Sequence, residues 1–211
     1  MTGAAMHVHP YSLTATAAPW RDAVAVSNAA QITATIVKPT ITPNIAPFAA
    51  GDPRCFHVNI GELRVGARTD QLQALLGSCV GIALLWKKRG RCGLAHCLLP
   101  ESPVPPTELG ARYVNQAVPS LLRLMGACVA DYADIDVVVA GGGNMLEACS
   151  ARFQIGQQNI DAARKHLGLH GLHVRLAAVG GTVGRTLTVD CATQEVRVNA
   201  IQAQARVVHH A

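Results

Sequence analysis

The stretch Leu75–Pro100, LLGSCVGIALLWKKRGRCGLAHCLLP, decides how this chain is read. Leu75–Trp86 and Cys92–Leu99 are apolar on both alternating faces, the pattern of strands buried on both sides. Between them, Lys87-Lys88-Arg89-Gly90-Arg91 supplies the charge and the glycine that a surface hairpin loop needs. A loop centred near Lys88–Arg89 pairs Cys79 with Leu98 and sets His96 two residues away on the same face. Diagonal neighbours of that kind lie about 7–8 Å apart at Cα, near enough for a thiol and an imidazole to lean together. A slip of one residue puts them on opposite faces. A buried structural cysteine beside a satisfied core histidine fits the same spacing.

Working outward, Asp70–Leu76 leads into Gly77-Ser78-Cys79, and His57–Val65 has strand character interrupted by Gly61. A glycine before the cysteine lets the backbone turn without a Cβ clash and leaves amide hydrogens free for an oxyanion. Beyond the hairpin, Pro100–Pro106 reads as a loop and Thr107–Gly126 as a helix. Its buried stripe is Val114, Ala117, Val118, Leu121, Leu122 and Met125, and Pro119 is expected to kink or split it. Ile135–Ala140 is a buried strand running into Gly141-Gly142-Gly143-Asn144-Met145. That turn lacks the GxGxxG pattern of a dinucleotide site. Gly156–Leu167 is a second helix with Ile160, Ala163 and Leu167 inward, and Asn159 in its first turn is expected to bond backbone locally. Leu172–Val179, Thr186–Asp190 and Glu195–Asn199 complete the sheet.

The fold expected is α/β: a layered domain with a mixed, mostly antiparallel sheet packed by two main helices, over residues 52–200. Residues 1–51 differ in kind. The first fifty hold only three charged residues (Arg21, Asp22, Lys38) and five of the eleven prolines, with no sustained period, as in a disordered or weakly ordered extension. A tether and an incorrectly assigned translation start both suit it. Residues 201–211 read as a frayed tail.

Half of the 211 residues are hydrophobic and 15% are charged, which suits one globular domain with a sizeable core. The net charge of +5 is scattered apart from the 87–91 turn, which argues for a solvated loop and against a nucleic-acid surface. Seven cysteines, an odd number without a CxxC pair, argue against a disulfide framework and for a reducing cytoplasm. Strand alternation splits Cys92, His96 and Cys97 between two faces and no second ligand pair appears, so no metal is expected. No apolar run is long enough to span a bilayer.

GSCVGIALLW, GLAHCLLPE, GGGNM and IGQQNI, in that order between His57 and Asn199, resemble the CheD family, the chemoreceptor glutamine deamidases of bacterial chemotaxis. Gly180-Gly181 and Gly184-Arg185 match that family's GG-x-x-GR turn. The resemblance implies Cys79 as nucleophile and His96 as its base, acting without a cofactor on glutamine side chains of chemoreceptor cytoplasmic helices, with glutamyl methyl esters as a further substrate in some members. Gly77 and Ser78 would supply the oxyanion site, and Gly142 and Asn144 would shape the pocket. Arg185 would orient a substrate carbonyl or hold a loop. A family member carries a threonine six residues before the cysteine to orient the histidine. Here that position is Gln73, so a backbone carbonyl, the Gln73 amide or Thr69 must take the role. Two alternatives stand beside the deamidase: a non-catalytic module that binds receptors or a CheC-type phosphatase, and another cysteine amidohydrolase or transglutaminase-like enzyme.

Overall fold

The computed structural model describes residues 54–144 and 154–201. The expected extension 1–51, the tail beyond Ile201, Met145 and Cys149 lie outside them. Among the described residues, strands β1 (Cys55–His57), β3 (Gln71–Leu76), β8 (Arg185–Asp190) and β9 (Glu195–Ala200) form one sheet in the order β1-β3-β8-β9. Strands β2 (Leu63–Ala67), β5 (Arg91–Cys97), β4 (Val80–Trp86), β6 (Ile135–Gly141) and β7 (His173–Val179) form a second, ordered β2-β5-β4-β6-β7. Both are mixed: β1–β3 and β6–β7 are parallel and every other pairing is antiparallel. Helices α1 (Val114–Met125) and α2 (Ile155–Leu169) cover one face of the five-stranded sheet. The four-stranded sheet covers the other face, giving an α/β/β stack.

Strand alternation explains the two cores. On β4, Val80, Ile82, Leu84 and Trp86 face the helices, where they meet Val118, Leu121, Leu122 and Ile160. The opposite set, Cys79, Ala83 and Leu85, faces the other sheet and meets Leu72, Leu76, Leu187 and Val189. All seven residues of β4 are buried, as a strand covered on both sides requires. The hairpin register is the expected one: Val80 opposes Cys97 and Gly81 opposes His96. Lys87–Arg89 form a single 3₁₀ turn closed by Gly90 at φ 58°.

Several expectations are corrected. The sheet is two sheets, and the apolar run from Leu75 is broken at Gly77–Cys79. There the chain crosses from β3 in one sheet to β4 in the other. An unbroken apolar run looks the same in sequence whether one strand or two produce it. His57–Val65 likewise divides between the sheets at a turn in which Gly61 adopts φ +81°. Helix α1 starts at Val114, not Thr107, because Ala111 and Arg112 form a bend bonded elsewhere and Tyr113 is extended. The Arg112 carbonyl accepts from the amides of Leu98 and Leu99, and the Ala111 amide donates to Gly61. Pro119, sixth in α1, leaves the helix whole; one missing amide near the N-terminus forfeits a single bond. The expected α1 stripe is buried throughout, and so are Ile160, Ala163 and Leu167 of α2.

The cysteines also depart from expectation. Cys92 on β5 is disulfide-bonded to Cys191, just past β8, 99 residues away in sequence. Both lie in the layer between the sheets, where face-to-face stacking brings distant residues together. Cys55, Cys79, Cys97 and Cys128 are free.

Candidate active site

Gly77-Ser78-Cys79 spans the gap between the two sheets, so the position of Cys79 is set by both. Its register neighbour is Leu98, one step beyond the paired Val80 and Cys97, and His96 lies diagonally on the same face. Cys79 is 6% exposed and His96 3%. Both point into the layer between the sheets, at the end of β4 and β5 away from the basic turn.

The histidine is oriented by neither expected side chain. Gln73 alternates with the buried Leu72 and Ala74, faces away from the core, and donates its Nε2 to Thr188 Oγ1 at 3.2 Å. Thr69 is exposed in the turn before β3, at the opposite end of that strand from Cys79. The partner is the third option, a backbone carbonyl: His96 Nδ1 lies 3.0 Å from the oxygen of Val58. A carbonyl only accepts, so Nδ1 carries the proton and Nε2 keeps its lone pair. Nε2 is buried and has no hydrogen-bond partner among the described residues. A buried polar atom left unpaired is costly and calls for an explanation. An imidazole kept ready to take a proton is one.

Electrostatics set the resting state of the pair. Burial pushes the Cys79 thiol above its ordinary range, partly offset by its own backbone N–H against the sulfur. Burial holds His96 below the ordinary imidazole range, partly offset by the bond to Val58. Both shifts favour neutral thiol beside neutral imidazole over an ion pair. Cys97, wholly buried on the opposite face of β5, is pushed far higher by burial and by its neighbour Cys79.

A scaffold of backbone bonds holds the cysteine turn. The amides of Gly142 and Gly143 donate to the carbonyls of Cys79 and Gly77, both at 2.8 Å, and that of Asn144 to Gly181 at 2.7 Å. These amides are therefore committed to the loop structure that holds the cysteine turn. The amides of Ser78 and Cys79 donate to no backbone carbonyl among the described residues. Gly77 contributes its carbonyl and no left-handed turn; the positive φ angles fall on Gly141 (+98°) and Gly142 (+65°). A Cβ on Gly141 would stand 2.3 Å from the Cys79 carbonyl oxygen, and one on Gly142 would stand 2.6 Å from Ile160. Arg185 is buried and donates Nη1 to the carbonyls of Gly180 at 2.7 Å and Val183 at 3.4 Å. It holds a loop.

Two contributors had been overlooked or misjudged. Val58 acts through its carbonyl, which every residue has, so no sequence signal marks it. Asn159 bonds backbone, though not locally. Its Nδ2 donates to the carbonyls of Ser78 and Leu98, each at 3.1 Å and far away in sequence. A polar residue inside the apolar stripe of α2 was the available signal. A cleft of about 370 Å³ is lined by Val58 with His57, Glu62, Arg64, Leu109 and Leu124; Cys79 and His96 are not among its walls.

Residues 98–200 match the family model described as CheD chemotactic sensory transduction, a range that includes Asn159 and Arg185 and begins just after His96. A protein of Bdellovibrio bacteriovorus named "Probable chemoreceptor glutamine deamidase CheD" is 37% identical over 135 residues, 63% of this chain and 86% of the relative. One of Methanococcus vannielii with the same name is 35% identical over 132 residues, covering the same shares. A Geobacter sulfurreducens relative, "Probable chemoreceptor glutamine deamidase CheD 2", is 31% identical over 163 residues, 75% of this chain and all of the relative. At that identity and coverage, with Cys79 and His96 brought to one face of one hairpin, the chain belongs to the CheD family.

Proposed function

We propose that this protein hydrolyses glutamine side-chain amides of chemoreceptors to glutamate and ammonia, with Cys79 as nucleophile and His96 as general base and acid. The observation that carries the proposal is the His96 ring. Its Nδ1 is tied to Val58, and its buried Nε2 is without a partner on the face that also holds Cys79. The relatives' name supplies the substrate.

The cycle starts from the neutral pair. As the sulfur attacks the carboxamide carbon, its proton passes to Nε2 and an S–C bond forms. The developing oxyanion is met by the amides of the Ser78–Cys79 turn, which no backbone carbonyl among the described residues occupies. His96 returns the proton to the departing nitrogen, the C–N bond breaks, and ammonia leaves a thioester. The same nitrogen then removes a proton from water as the water oxygen bonds the thioester carbon; the S–C bond breaks, glutamate leaves, and the proton on Nε2 returns to the Cys79 sulfur. Glutamyl methyl esters react by the same steps with methanol departing. The receptor helices that carry such glutamines place the protein in the cytoplasm, and no described helix is long and apolar enough to cross a membrane.

Incubation with a receptor cytoplasmic fragment, followed by peptide mass spectrometry, tests the proposal. Amide-to-acid conversion is expected with the wild type and none with Cys79→Ala; no conversion by wild type, or equal conversion by the variant, overturns it. The low exposure of Cys79 and His96 favours a second reading, a non-catalytic module that binds receptors or a CheC-type phosphatase. Under that reading Cys79 is as inert to alkylation as buried Cys97.

A further inference from the structure

The helix layer is bonded to the cysteine turn at the ends of β4 and β5. Asn159 on α2 is fully buried, at 0% exposure. Its Nδ2 lies 3.1 Å from the Ser78 carbonyl, next to the nucleophile, and 3.1 Å from the Leu98 carbonyl, two residues past the base. The β4–β5 pairing stops at Val80 and Cys97. One carboxamide thus stands where the next ladder bond would be, satisfying both carbonyls. Its orientation follows from chemistry: two acceptors require the NH₂ group, since the oxygen would repel them. The cost of this arrangement is visible, because Oδ1 is buried without a partner among the described residues. A side chain kept only for packing has no need of that cost.

We infer that Asn159 is a positioning residue that fixes the distance between Cys79 and His96 by pinning the cysteine turn to the end of the histidine strand. This rests on the catalytic reading of the pair. Without the carboxamide, the two carbonyls face each other unpaired and the strand ends separate. The thiol then moves away from Nε2 while the rest of the hairpin stays paired. Displacement by about 1 Å suffices to lower a rate by about 10²-fold.

The test uses the full chain and two readouts. In Asn159→Leu, of similar volume and without the amide, kcat for glutamine conversion is expected to fall ten- to a hundred-fold with KM little changed. Substrate is not needed for the second readout, the rate of Cys79 alkylation by iodoacetamide against pH. Wild type is expected to show an acid-side step where neutral His96 assists the thiol. Asn159→Leu is expected to lose the step and keep only the alkaline rise of an unaided thiol. Leu167→Ala, a core truncation on the same helix, controls for general destabilisation: it lowers Tm and keeps the step. Should Asn159→Leu fail to fold, Asn159→Ala leaves room for a water between the carbonyls and is expected to show the same change, smaller. A wild-type profile without the step overturns the inference, as does a variant that retains both step and kcat. If the step is present in wild type and lost in the variant while no glutamine is converted, the positioning role stands and the deamidase reading falls.

Discussion

His96 Nδ1 sits 3.0 Å from the carbonyl oxygen of Val58, and that bond joins the two sheets, since Val58 follows β1 of one and His96 lies on β5 of the other. It fixes the tautomer without an acidic or hydroxyl side chain. A backbone carbonyl adds no charge, so the imidazolium formed during attack is stabilised less than it would be by a carboxylate. His96→Gln is therefore expected to lower kcat about 10²–10⁴-fold while leaving the thermal transition nearly unchanged. Steady-state kinetics with a receptor fragment, alongside a melting curve, checks both.

The acid limb of the pH–rate profile follows from the lowered His96 pKa. In the proposed cycle the ring accepts the thiol proton only when neutral, so activity is expected to persist below pH 6.5 and to decline as pH falls through the lowered value. Stability follows the same group. Below pH 6.5 the unfolded chain protonates this imidazole and the folded chain does not, so this contribution is lost between 6.5 and the folded value and changes no further below it. Denaturant titrations from pH 7.5 to 4.5 should show a smaller slope in His96→Gln. An ¹⁵N spectrum at neutral pH should show a protonated Nδ1 and a bare Nε2.

Gly141→Ala should be among the most damaging small substitutions. Its φ of +98° disfavours any side chain, and the new methyl group would meet the Cys79 carbonyl oxygen at 2.3 Å. A loss of roughly 1–3 kcal/mol from the backbone conformation alone is expected, with further loss from the clash. Activity should fall beyond what the lowered Tm explains, because the atom displaced belongs to Cys79, the proposed nucleophile. Gly90→Ala, open to solvent, serves as the control for a left-handed glycine remote from the site.

The Cys92–Cys191 bond closes a loop of 99 residues. The chain-entropy account assigns such a cross-link about 4.7 kcal/mol, so a reductant should lower the melting temperature by many degrees. Peptide mapping without reduction should recover the linked pair and leave Cys79 and Cys97 free. An unshifted melting curve on reduction, or a map without the linked peptides, would contradict the pairing.

The parts legible in sequence were those governed by short-range periodicity. The basic turn at Lys87–Arg91 set the hairpin register, and period-two alternation then placed Cys79 and His96 on one face without further information. The stripes of α1 and α2 were equally plain. What escaped depends on contacts between layers. The apolar run from Leu75 to Trp86 hid a change of sheet, because Leu75 is an exposed apolar residue on β3 and so continues the buried pattern of β4 in sequence alone. Gln73 was misjudged as a partner for His96 because its outward direction follows from a sheet the sequence did not separate. Asn159 and Cys191 find their partners across 61 to 99 residues, and Val58 acts through an atom common to every residue.

Since Gly77–Cys79 is the bridge by which the polypeptide leaves one sheet for the other, the reactive geometry is inherited from the whole stack and not from a self-contained loop. Grafting Gly-Ser-Cys into a foreign turn would carry the thiol and lose its surroundings. Sequence drift on the outer surfaces is correspondingly free, whereas any change in the spacing of the layers is felt at the sulfur.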